Sequence, residues 1–534
     1  MSPSAVSPPH VTPEELLSFL QEAGSYPHHP AGVRILQTHS AIVAIASPFV
    51  YKVRKPVNFG FLDFSTLEKR LHFAQREIEL NRRLCHEVHL EIVPISLTND
   101  HLKFGEGERV VDYAVKMREL DERWFMKPML RGGRVHEAEL DRVVALLKPF
   151  YERPVPPSVL EWGRVERLKI NTDENFQQAH AFIGQTLSPA AFGAIRQYTD
   201  GYYQFHAGLF EERIRQRRIV DGHGDLHLEH IHLAPDRVTV FDCIEFNDRF
   251  RFLDVANDIA FLAMDLDFEN RTDLSRQFVR RMAEALGDEG IFRLIDFYKC
   301  YRAFVRGKVE SMQAREPEVA PREREQCAEW ARRYFRLALR YAVAGSTPTV
   351  IVTMGRPGSG KSVLAQGIST ELACPVSSSD QVRKLIAGLP LTRRPDAKIR
   401  AQLYSNAMSR RTYSALLDIA LRETGMGRCV VIDATFSQAS LRHEWRQRLG
   451  EAGIHLRFVE AFAPDEVLCE RLKFRDGKTD VISDARVEDF KKLSEAYSPP
   501  IELRPNELVR VETTNSQTKS LTQALIALAR NQTR

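Results

Sequence analysis

The sequence has no apolar run of about 18 residues and no charged-then-apolar leader at its start. We therefore expect neither a membrane-spanning helix nor a signal peptide, and no membrane partner. Cysteine is sparse: the seven residues are scattered, and no two have the spacing of a metal-binding knuckle. This pattern favours reduced thiols and a cytoplasmic location.

An excess of one charge is also lacking, because the net charge is only +4 over 534 residues. That balance gives no argument for a nucleic-acid or membrane surface. Internal repeats and low-complexity blocks are absent, while 43% hydrophobic and 27% charged residues are typical of a globular protein. The chain is too long for one ordinary core, so two or three domains are expected.

A glycine-rich segment, Gly355–Ser362, fits the phosphate-binding pattern G-x-x-x-x-G-K-[ST] at every position. An apolar, β-branched run precedes it and helical spacing follows it, as a phosphate loop between a strand and a helix requires. Glycines let backbone N–H groups surround phosphate oxygens, and the helix N-terminus adds partial positive charge. We predict that ATP binds here, with Lys361 at the β- and γ-phosphates and Ser362 on Mg²⁺. The predicted nucleotide-binding residues of this loop are Gly355, Gly358, Ser359, Gly360, Lys361 and Ser362.

The clearest domain boundary lies just before this loop, where a long charged helical pattern ends and an apolar strand begins. The chain before the boundary has strand-like runs with one helical pattern, followed by a mainly helical stretch. The predicted fold class is a multidomain combination of α/β and α+β, with a parallel-sheet P-loop domain at the C-terminal end. The predicted segments are a largely disordered terminus (1–30), a small β-rich lobe (31–118), a larger helical lobe (119–342), a linker (343–348) and the P-loop domain (349–534).

Acidic residues follow two further strand-like runs of the P-loop domain. Asp380 lies one helical turn before Arg383, so a carboxylate that takes a hydroxyl proton and an arginine that holds an anionic group can share one cleft. The alternative for Asp380 is a plain helix N-cap. Asp433 ends an apolar run and is predicted near Mg²⁺ or the acceptor, with a turn role as its alternative.

Basic residues later in this domain are candidates for a lid over the phosphates. Arg471 and Arg475 lie one helical turn apart and would neutralise charge on the transferring phosphate, unless they form a solvated basic face. Arg442 is a weaker candidate for the acceptor site. The pairing of Asp380 with Arg383 resembles 5′-hydroxyl polynucleotide kinases and related small-molecule kinases.

The N-terminal part carries a second motif, residues 223–230 followed by Asp242. It resembles the catalytic loop and metal-binding aspartate of aminoglycoside phosphotransferases, which have a bilobal protein-kinase-like fold. The resemblance implies that Asp225 accepts the substrate hydroxyl proton and that Asp242 binds the metal ion. Asp254 and Asp258 match acidic positions that brace this region, with helix capping as the alternative.

Three upstream positions complete this resemblance. Lys52 lies in a strand-like run that resembles the strand carrying the phosphate-binding lysine, and either Glu77 or Glu79 would be its helical glutamate partner. Met117 falls where the hinge would meet the adenine.

The motif departs from the family in two places. His230 occupies the position of a metal-binding asparagine, and imidazole is a poor Mg²⁺ ligand because hard cations prefer oxygen. Glu245 or a water could supply the oxygen instead. The first two strand-like runs also lack a glycine-rich connection.

Nearly the whole chain resembles a bacterial two-domain family that fuses an aminoglycoside-phosphotransferase-like domain to an AAA-type, polynucleotide-kinase-like P-loop domain. The resemblance implies an ATP- and Mg²⁺-dependent kinase acting on a hydroxyl of a small molecule or a nucleic-acid end. The N-terminal domain would bind nucleotide and act either as a second kinase or as an inactive regulatory pseudokinase. A nucleic-acid acceptor is not favoured, because no basic and aromatic track marks the sequence. The sequence identifies neither the acceptor nor the oligomeric state.

Overall fold

The computed structural model describes residues 11–60, 62–392, 395–476, 482–483 and 486–533. The chain forms two compact units, each made of two separate stretches. The first unit comprises Met1–Arg164 and Glu211–Arg293, and the second comprises Val165–Phe210 and Leu294–Arg534. Among the described residues, no helix is both long and apolar enough to cross a membrane.

A short helix opens the described chain, inside the segment predicted to be largely disordered. Helix α1 (Pro13–Gln21) forms because Thr12 and Glu15 make a capping box, in which each side chain bonds the other's backbone N–H. Phe19 and Leu20 on this helix are buried against the sheet of the first unit. Residues 1–10, for which disorder is also predicted, lie outside the described residues.

An antiparallel sheet of six strands dominates the first unit, in the order β1-β2-β3-β6-β4-β5. Helix α2 (Leu67–Asn81) lies in the chain between β3 and β4 and packs against β4 and β6. The strands are β1 (Arg34–Gln37), β2 (Ala41–Ala46), β3 (Phe49–Arg54), β4 (His89–Thr98), β5 (His101–Phe104) and β6 (Arg109–Arg118).

Helices and two small two-stranded sheets make up the middle of the chain. Both sheets are antiparallel, and segment 223–230 lies in the chain between the strands β7 (Ile219–Asp221) and β8 (Ile231–Leu233). The elements are α3 (Met126–Arg131), α4 (Glu137–Tyr151), α5 (Pro157–Leu160), α6 (Val165–Ala179), α7 (Pro189–Phe205), α8 (Ala207–Arg215), β7 (Ile219–Asp221), β8 (Ile231–Leu233), β9 (Val238–Val240), β10 (Phe252–Asp254), α9 (Val255–Phe268), α10 (Thr272–Leu286), α11 (Gly290–Gln313) and α12 (Pro321–Ala344).

A five-stranded parallel sheet forms the centre of the second unit, in the order β12-β13-β11-β14-β15. This confirms the predicted parallel-sheet α/β organisation around the P-loop. The elements are β11 (Thr349–Met354), α13 (Lys361–Leu372), β12 (Val376–Ser378), α14 (Ser379–Ile386), α15 (Ala397–Leu403), α16 (Asn406–Gly425), β13 (Val430–Asp433), α17 (Ala439–Glu451), β14 (His455–Phe462), α18 (Asp465–Asp476), α19 (Phe490–Glu495), β15 (Leu508–Glu512) and α20 (Gln517–Gln532).

The second unit also includes helices that precede the predicted linker. Helix α7 packs along α20, and α12 contacts α7, α13 and α20. The approach of α7 to α20 is close, because a Cβ atom added at Gly193 would lie 3.2 Å from Ile526 Cδ1. Helices α13 and α20 of the P-loop domain are therefore covered in part by helices from the N-terminal two thirds of the sequence.

Candidate functional site

The phosphate loop lies between β11, which is buried along its whole length, and α13. Gly355, Gly358 and Gly360 all have positive φ, at 142°, 80° and 84°. A Cβ atom at Gly355 would lie 2.3 Å from the Ala461 carbonyl oxygen, and one at Gly358 would lie 2.8 Å from that of Leu468. The loop therefore needs glycine for both backbone conformation and space.

Arg471, on α18, contacts the backbone of this loop. Its guanidinium donates to the Gly358 carbonyl oxygen at 3.3 Å, to Thr513 Oγ1 at 3.0 Å and to the Thr513 carbonyl oxygen. The Thr513 hydroxyl in turn donates to the Ser359 carbonyl oxygen at 2.6 Å. Arg471 thus supports the loop backbone, and Arg475 lies one helical turn further along α18.

Asp433 ends β13, and its backbone pairs in register with Thr353 of β11 and Ser378 of β12. Burial raises the pKa of Asp433, although the charge of Lys361 and hydrogen bonds from Ser362 and Ser378 oppose this rise. Its buried Oδ1 has no hydrogen-bond partner among the described residues. The Asp433 carboxylate and the Ser362 hydroxyl both offer oxygen donors, which Mg²⁺ prefers, so these residues fit Mg²⁺.

Asp380 lies in the first turn of α14, directly after β12, at the edge of the sheet where β13 ends at Asp433. Arg383 Nη1 donates to Asp380 Oδ1 at 3.1 Å, and the Tyr404 hydroxyl donates to the same oxygen at 3.3 Å. The Arg383 guanidinium carbon lies 4.4 Å from the centre of the Tyr404 ring. Ser378 caps α14, so Asp380 is not the N-cap.

Arg442, the weaker acceptor-site candidate, is fully buried. It donates to both carboxylate oxygens of Glu502, at 2.6 and 3.1 Å, and to the carbonyl oxygens of Phe436 and Ser498. These contacts connect α17 to the segment before β15.

In the first unit, Lys52 on β3 lies between two carboxylates. Its Nζ is 3.1 Å from Glu77 Oε1 and 2.8 Å from Asp242 Oδ1. Burial alone would lower the pKa of Lys52, but the neighbouring carboxylates outweigh it and raise that pKa. Glu79 is exposed and pairs with Arg76 at 3.2 Å, so Glu77 is the glutamate that contacts the lysine.

A buried arginine extends this cluster, and sequence reasoning missed it. Arg54 donates to Glu77 and, at 2.7 Å, to Glu245. Burial raises the pKa of Glu245, with the Arg54 charge opposing the rise. Since side chains two residues apart share a strand face, the spacing of Lys52 and Arg54 was a signal that could have placed both in one cluster.

The loop at 223–230 is held by a buried aspartate. Asp258 accepts the backbone N–H groups of His223 at 2.6 Å and of Gly224 at 2.9 Å. Asp254 instead caps α9 and forms an ion pair with Arg213 at 2.7 Å. Asp258 therefore shapes the loop that carries Asp225.

His230 lies between Asp225 and Asp242. Its Nδ1 is 2.9 Å from the Asp225 carbonyl oxygen, and its Nε2 is 3.4 Å from Asp242 Oδ2. An imidazole at this position leaves the donor set short of an oxygen, so these residues do not fit the all-oxygen sphere that Mg²⁺ prefers. Met117, the predicted hinge residue, lies on β6 opposite Val50 of β3.

The loop and the parallel sheet together define a P-loop nucleotide-binding domain. Residues 350–500 match the family model described as an AAA domain. Across a larger span, the chain is 31% identical over 450 residues to the uncharacterized protein Rv2004c of Mycobacterium tuberculosis, which covers 83% of this chain and 86% of that protein. Uncharacterized protein Mb2027c of Mycobacterium bovis matches at the same values. The chain therefore belongs to the same family as these mycobacterial proteins.

Solved structures of kinases match about a third of this chain. A gluconokinase from Sinorhizobium meliloti 1021 has 22% identity and a TM-score of 0.26, covering 34% of this chain and 93% of that one. The Mycobacterium tuberculosis APS kinase CysC, in complex with AMPPNP and APS, has 21% identity and a TM-score of 0.27, covering 34% and 98%.

Proposed function

We propose that the P-loop domain is an ATP-dependent phosphotransferase that transfers the γ-phosphate of ATP to a hydroxyl group. The observation that carries this proposal is the position of Asp380, a carboxylate held by Arg383 and Tyr404 at the sheet edge that also carries Asp433. A hydroxyl acceptor has to give up its proton, and the Asp380 carboxylate can serve as the base that takes it. The adjacent Arg383 can hold an anionic group of the acceptor, which hydrolysis by water does not require.

Each group has a defined part in this transfer. The acceptor hydroxyl loses its proton to Asp380 while its oxygen bonds to the γ-phosphorus, and ADP leaves with the β–γ bridging oxygen. Lys361 and the loop N–H groups bind the phosphates, and Arg383 faces an anionic group of the acceptor. Ser362 and Asp433 would hold Mg²⁺, which neutralises charge on the phosphates when bound.

A metabolite screen with ATP tests this function, using mass spectrometry to detect the phosphorylated product. We expect Asp380→Asn to lower kcat about 10²- to 10⁴-fold, as for loss of a general base, and Lys361→Ala to abolish transfer. Asp418→Asn, at an exposed site on α16, is the matched control and should retain full activity. Transfer by Asp380→Asn at the unaltered rate would reject the mechanism.

We propose further that the first unit carries the nucleotide site of a protein-kinase-like domain. The predicted lobes of that domain, 31–118 and 119–342, also include helices that belong to the second unit. The Lys52–Glu77 ion pair at 3.1 Å and the contact of Lys52 with Asp242 support it, because kinase activity requires a lysine–glutamate pair beside a metal-binding aspartate. In a Lys361→Ala background, ATP binding should depend on Lys52. Turnover that depends on Asp225 would identify this unit as a second kinase, and binding without turnover would identify it as a regulatory pseudokinase.

Transfer to a nucleic-acid end is the other reading of the pair formed by Asp380 and Arg383. Incubation of a 5′-hydroxyl oligonucleotide with labelled ATP at low salt separates it from transfer to a metabolite. We expect no labelled oligonucleotide.

We also propose a cytoplasmic location. It is supported by the seven cysteines, which form no disulfide among the described residues.

A further inference from the structure

We propose that the metal site of the first unit takes a first-row transition ion, bound by His230 Nε2 and Asp242 Oδ2, in place of Mg²⁺. The inference rests on the proposed nucleotide-binding function of this unit, because nucleotide phosphates and water would complete the coordination sphere. His230 is largely buried, with 14% of its side chain exposed, and lies between two oxygen-bearing residues.

The hydrogen bonds of His230 determine which ring nitrogen is available. The Asp225 carbonyl oxygen can only accept, so the contact of 2.9 Å requires that His230 Nδ1 carries the proton. A histidine that donates one ring N–H to a backbone carbonyl presents the lone pair of its other nitrogen. That nitrogen, Nε2, faces the Asp242 carboxylate.

The distance between these two groups suits two ligands of one metal ion better than a direct hydrogen bond. A charge-assisted N–H···O bond is about 2.7–2.9 Å long, and ordinary ones extend to about 3.2 Å. The separation of Nε2 and Oδ2 is 3.4 Å. Two ligands placed about 2.1 Å from one ion at a tetrahedral angle lie about 3.4 Å apart.

Asp242 is positioned for this role by its other oxygen. Oδ1 is held by Lys52 at 2.8 Å, so Oδ2 is the oxygen that is directed at His230. One imidazole nitrogen and one carboxylate oxygen form a mixed donor set, which favours ions from Mn²⁺ to Zn²⁺ over Mg²⁺.

A neighbouring group of possible metal ligands is less suitable as the metal site. Asp225, His227 and His230 each offer an atom within 4.8 Å of the others. However, His227 Nδ1 accepts the Glu229 N–H at 3.3 Å, so its Nε2 carries the ring proton towards Asp225 Oδ2, 3.4 Å away. In this arrangement His227 supports Asp225, and the lone pair of His230 remains directed at Asp242.

Metal titrations of the full-length Lys361→Ala protein test the proposal, because that substitution weakens nucleotide and metal binding at the P-loop. Co²⁺, Zn²⁺, Mn²⁺ and Mg²⁺ are titrated by calorimetry, each alone and with AMPPNP, and the visible absorption of Co²⁺ reports its ligands. His230→Asn replaces the imidazole with an amide oxygen. We expect it to weaken Co²⁺ binding at least about tenfold and to strengthen Mg²⁺ binding. His101→Asn, at an exposed histidine on β5, controls for adventitious binding and should leave Co²⁺ affinity unchanged.

The proposal is overturned if the His230→Asn variant binds Co²⁺ with the same affinity as the protein that retains His230. It is also overturned if the protein that retains His230 binds Mg²⁺ more tightly than Co²⁺. Pulsed EPR of bound Mn²⁺ needs no substitution at His230, so it decides the question even if that variant fails to fold. Coupling to the nitrogen of one imidazole is expected, and its absence also overturns the proposal. Loss of AMPPNP binding with every metal would reject the nucleotide-binding function, while the titrations with metal alone would still decide the metal site.

Discussion

Arg471 and Arg475 lie one turn apart on α18, and the contacts of Arg471 lead us to predict different roles for them. Arg471 donates to carbonyl oxygens of the phosphate loop and of Thr513, so it fixes the loop before any ligand binds. We predict that Arg471→Met weakens ATP binding about tenfold or more, since two hydrogen bonds to backbone oxygens and one to the Thr513 hydroxyl are lost. Calorimetric titration with AMPPNP measures this effect.

Arg475→Met is the matched comparison for that variant. If Arg475 acts on the transferring phosphate, its loss lowers kcat and leaves the Kd for AMPPNP nearly unchanged. A similar loss of nucleotide affinity in both variants would contradict the separation of roles.

His223 is a buried residue of the loop that carries Asp225, and burial lowers its pKa to about 3. In the unfolded chain its pKa returns to about 6.5, so below that pH the unfolded state binds a proton that the folded state does not. The free energy of unfolding therefore falls as the pH decreases from about 6.5 towards 3. Between pH 7 and pH 5, we predict that His223 accounts for a loss of about 2 kcal/mol.

Urea unfolding at pH 7 and pH 5 measures this loss, with His223→Gln as the comparison. Glutamine keeps a donor for the Phe241 carbonyl oxygen, which His223 contacts at 2.8 Å, but has no titrating group. The variant should lose about 2 kcal/mol less than the unsubstituted protein over the same interval. An equal pH dependence in both proteins would show that His223 is not buried in its neutral form.

Around Lys52, the sequence could predict some of the charged residues more readily than the ion pairs that they form. Lys52 and a glutamate of α2 follow from the motif, but helical periodicity alone left Glu77 and Glu79 as equal candidates. The choice depends on which face of α2 packs against the sheet, and that is decided by tertiary contacts. Arg54 was missed because a buried arginine requires carboxylates from distant parts of the chain, here Glu77 and Glu245.

The turn from β11 to α13 allows a direct test of why glycine is needed. At Gly355, a Cβ atom would clash with the Ala461 carbonyl oxygen of β14, and the φ of 142° is unfavourable for alanine. We predict that Gly355→Ala lowers the stability of the second unit by about 2 kcal/mol or more and abolishes AMPPNP binding. Thermal unfolding and calorimetry measure the two effects.

Gly425→Ala is the control for this prediction, since Gly425 ends α16 and a Cβ atom there would have no described neighbour within 4 Å. We expect it to be neutral or to stabilise the protein by up to about 1 kcal/mol. Undiminished AMPPNP binding by Gly355→Ala would contradict the geometric requirement at the loop.

The elements of the P-loop domain illustrate what local pattern can predict. The strand before the loop, the loop and the following helix have their signals within about 20 consecutive residues, so the sequence predicted them together. The packing of α7 on α20 has no such local signal, since each helix shows only an apolar face and the two are distant in sequence.

The second unit contains helices from outside the predicted P-loop domain, and this predicts how the isolated domain behaves. A fragment of residues 349–534 would lack α7 and α12, which contact α13 and α20 in the full chain. We predict that this fragment unfolds at a lower temperature than the second unit of the full chain and binds a hydrophobic dye, because the apolar faces of α13 and α20 are uncovered.

Circular dichroism and dye fluorescence measure these differences. A fragment that unfolds cooperatively at the same temperature as the second unit would show that the preceding helices add nothing to its stability.

The packing of α7 on α20 also has a consequence for synthesis on the ribosome. Helix α7 is complete by residue 205, whereas α20 begins only at residue 517. At typical translation rates the face of α7 that packs on α20 therefore lacks its partner for roughly 15 to 60 s. A chain terminated between α7 and α20 keeps that face uncovered by α20, so incomplete translation products are expected to be bound by chaperones or degraded by proteases.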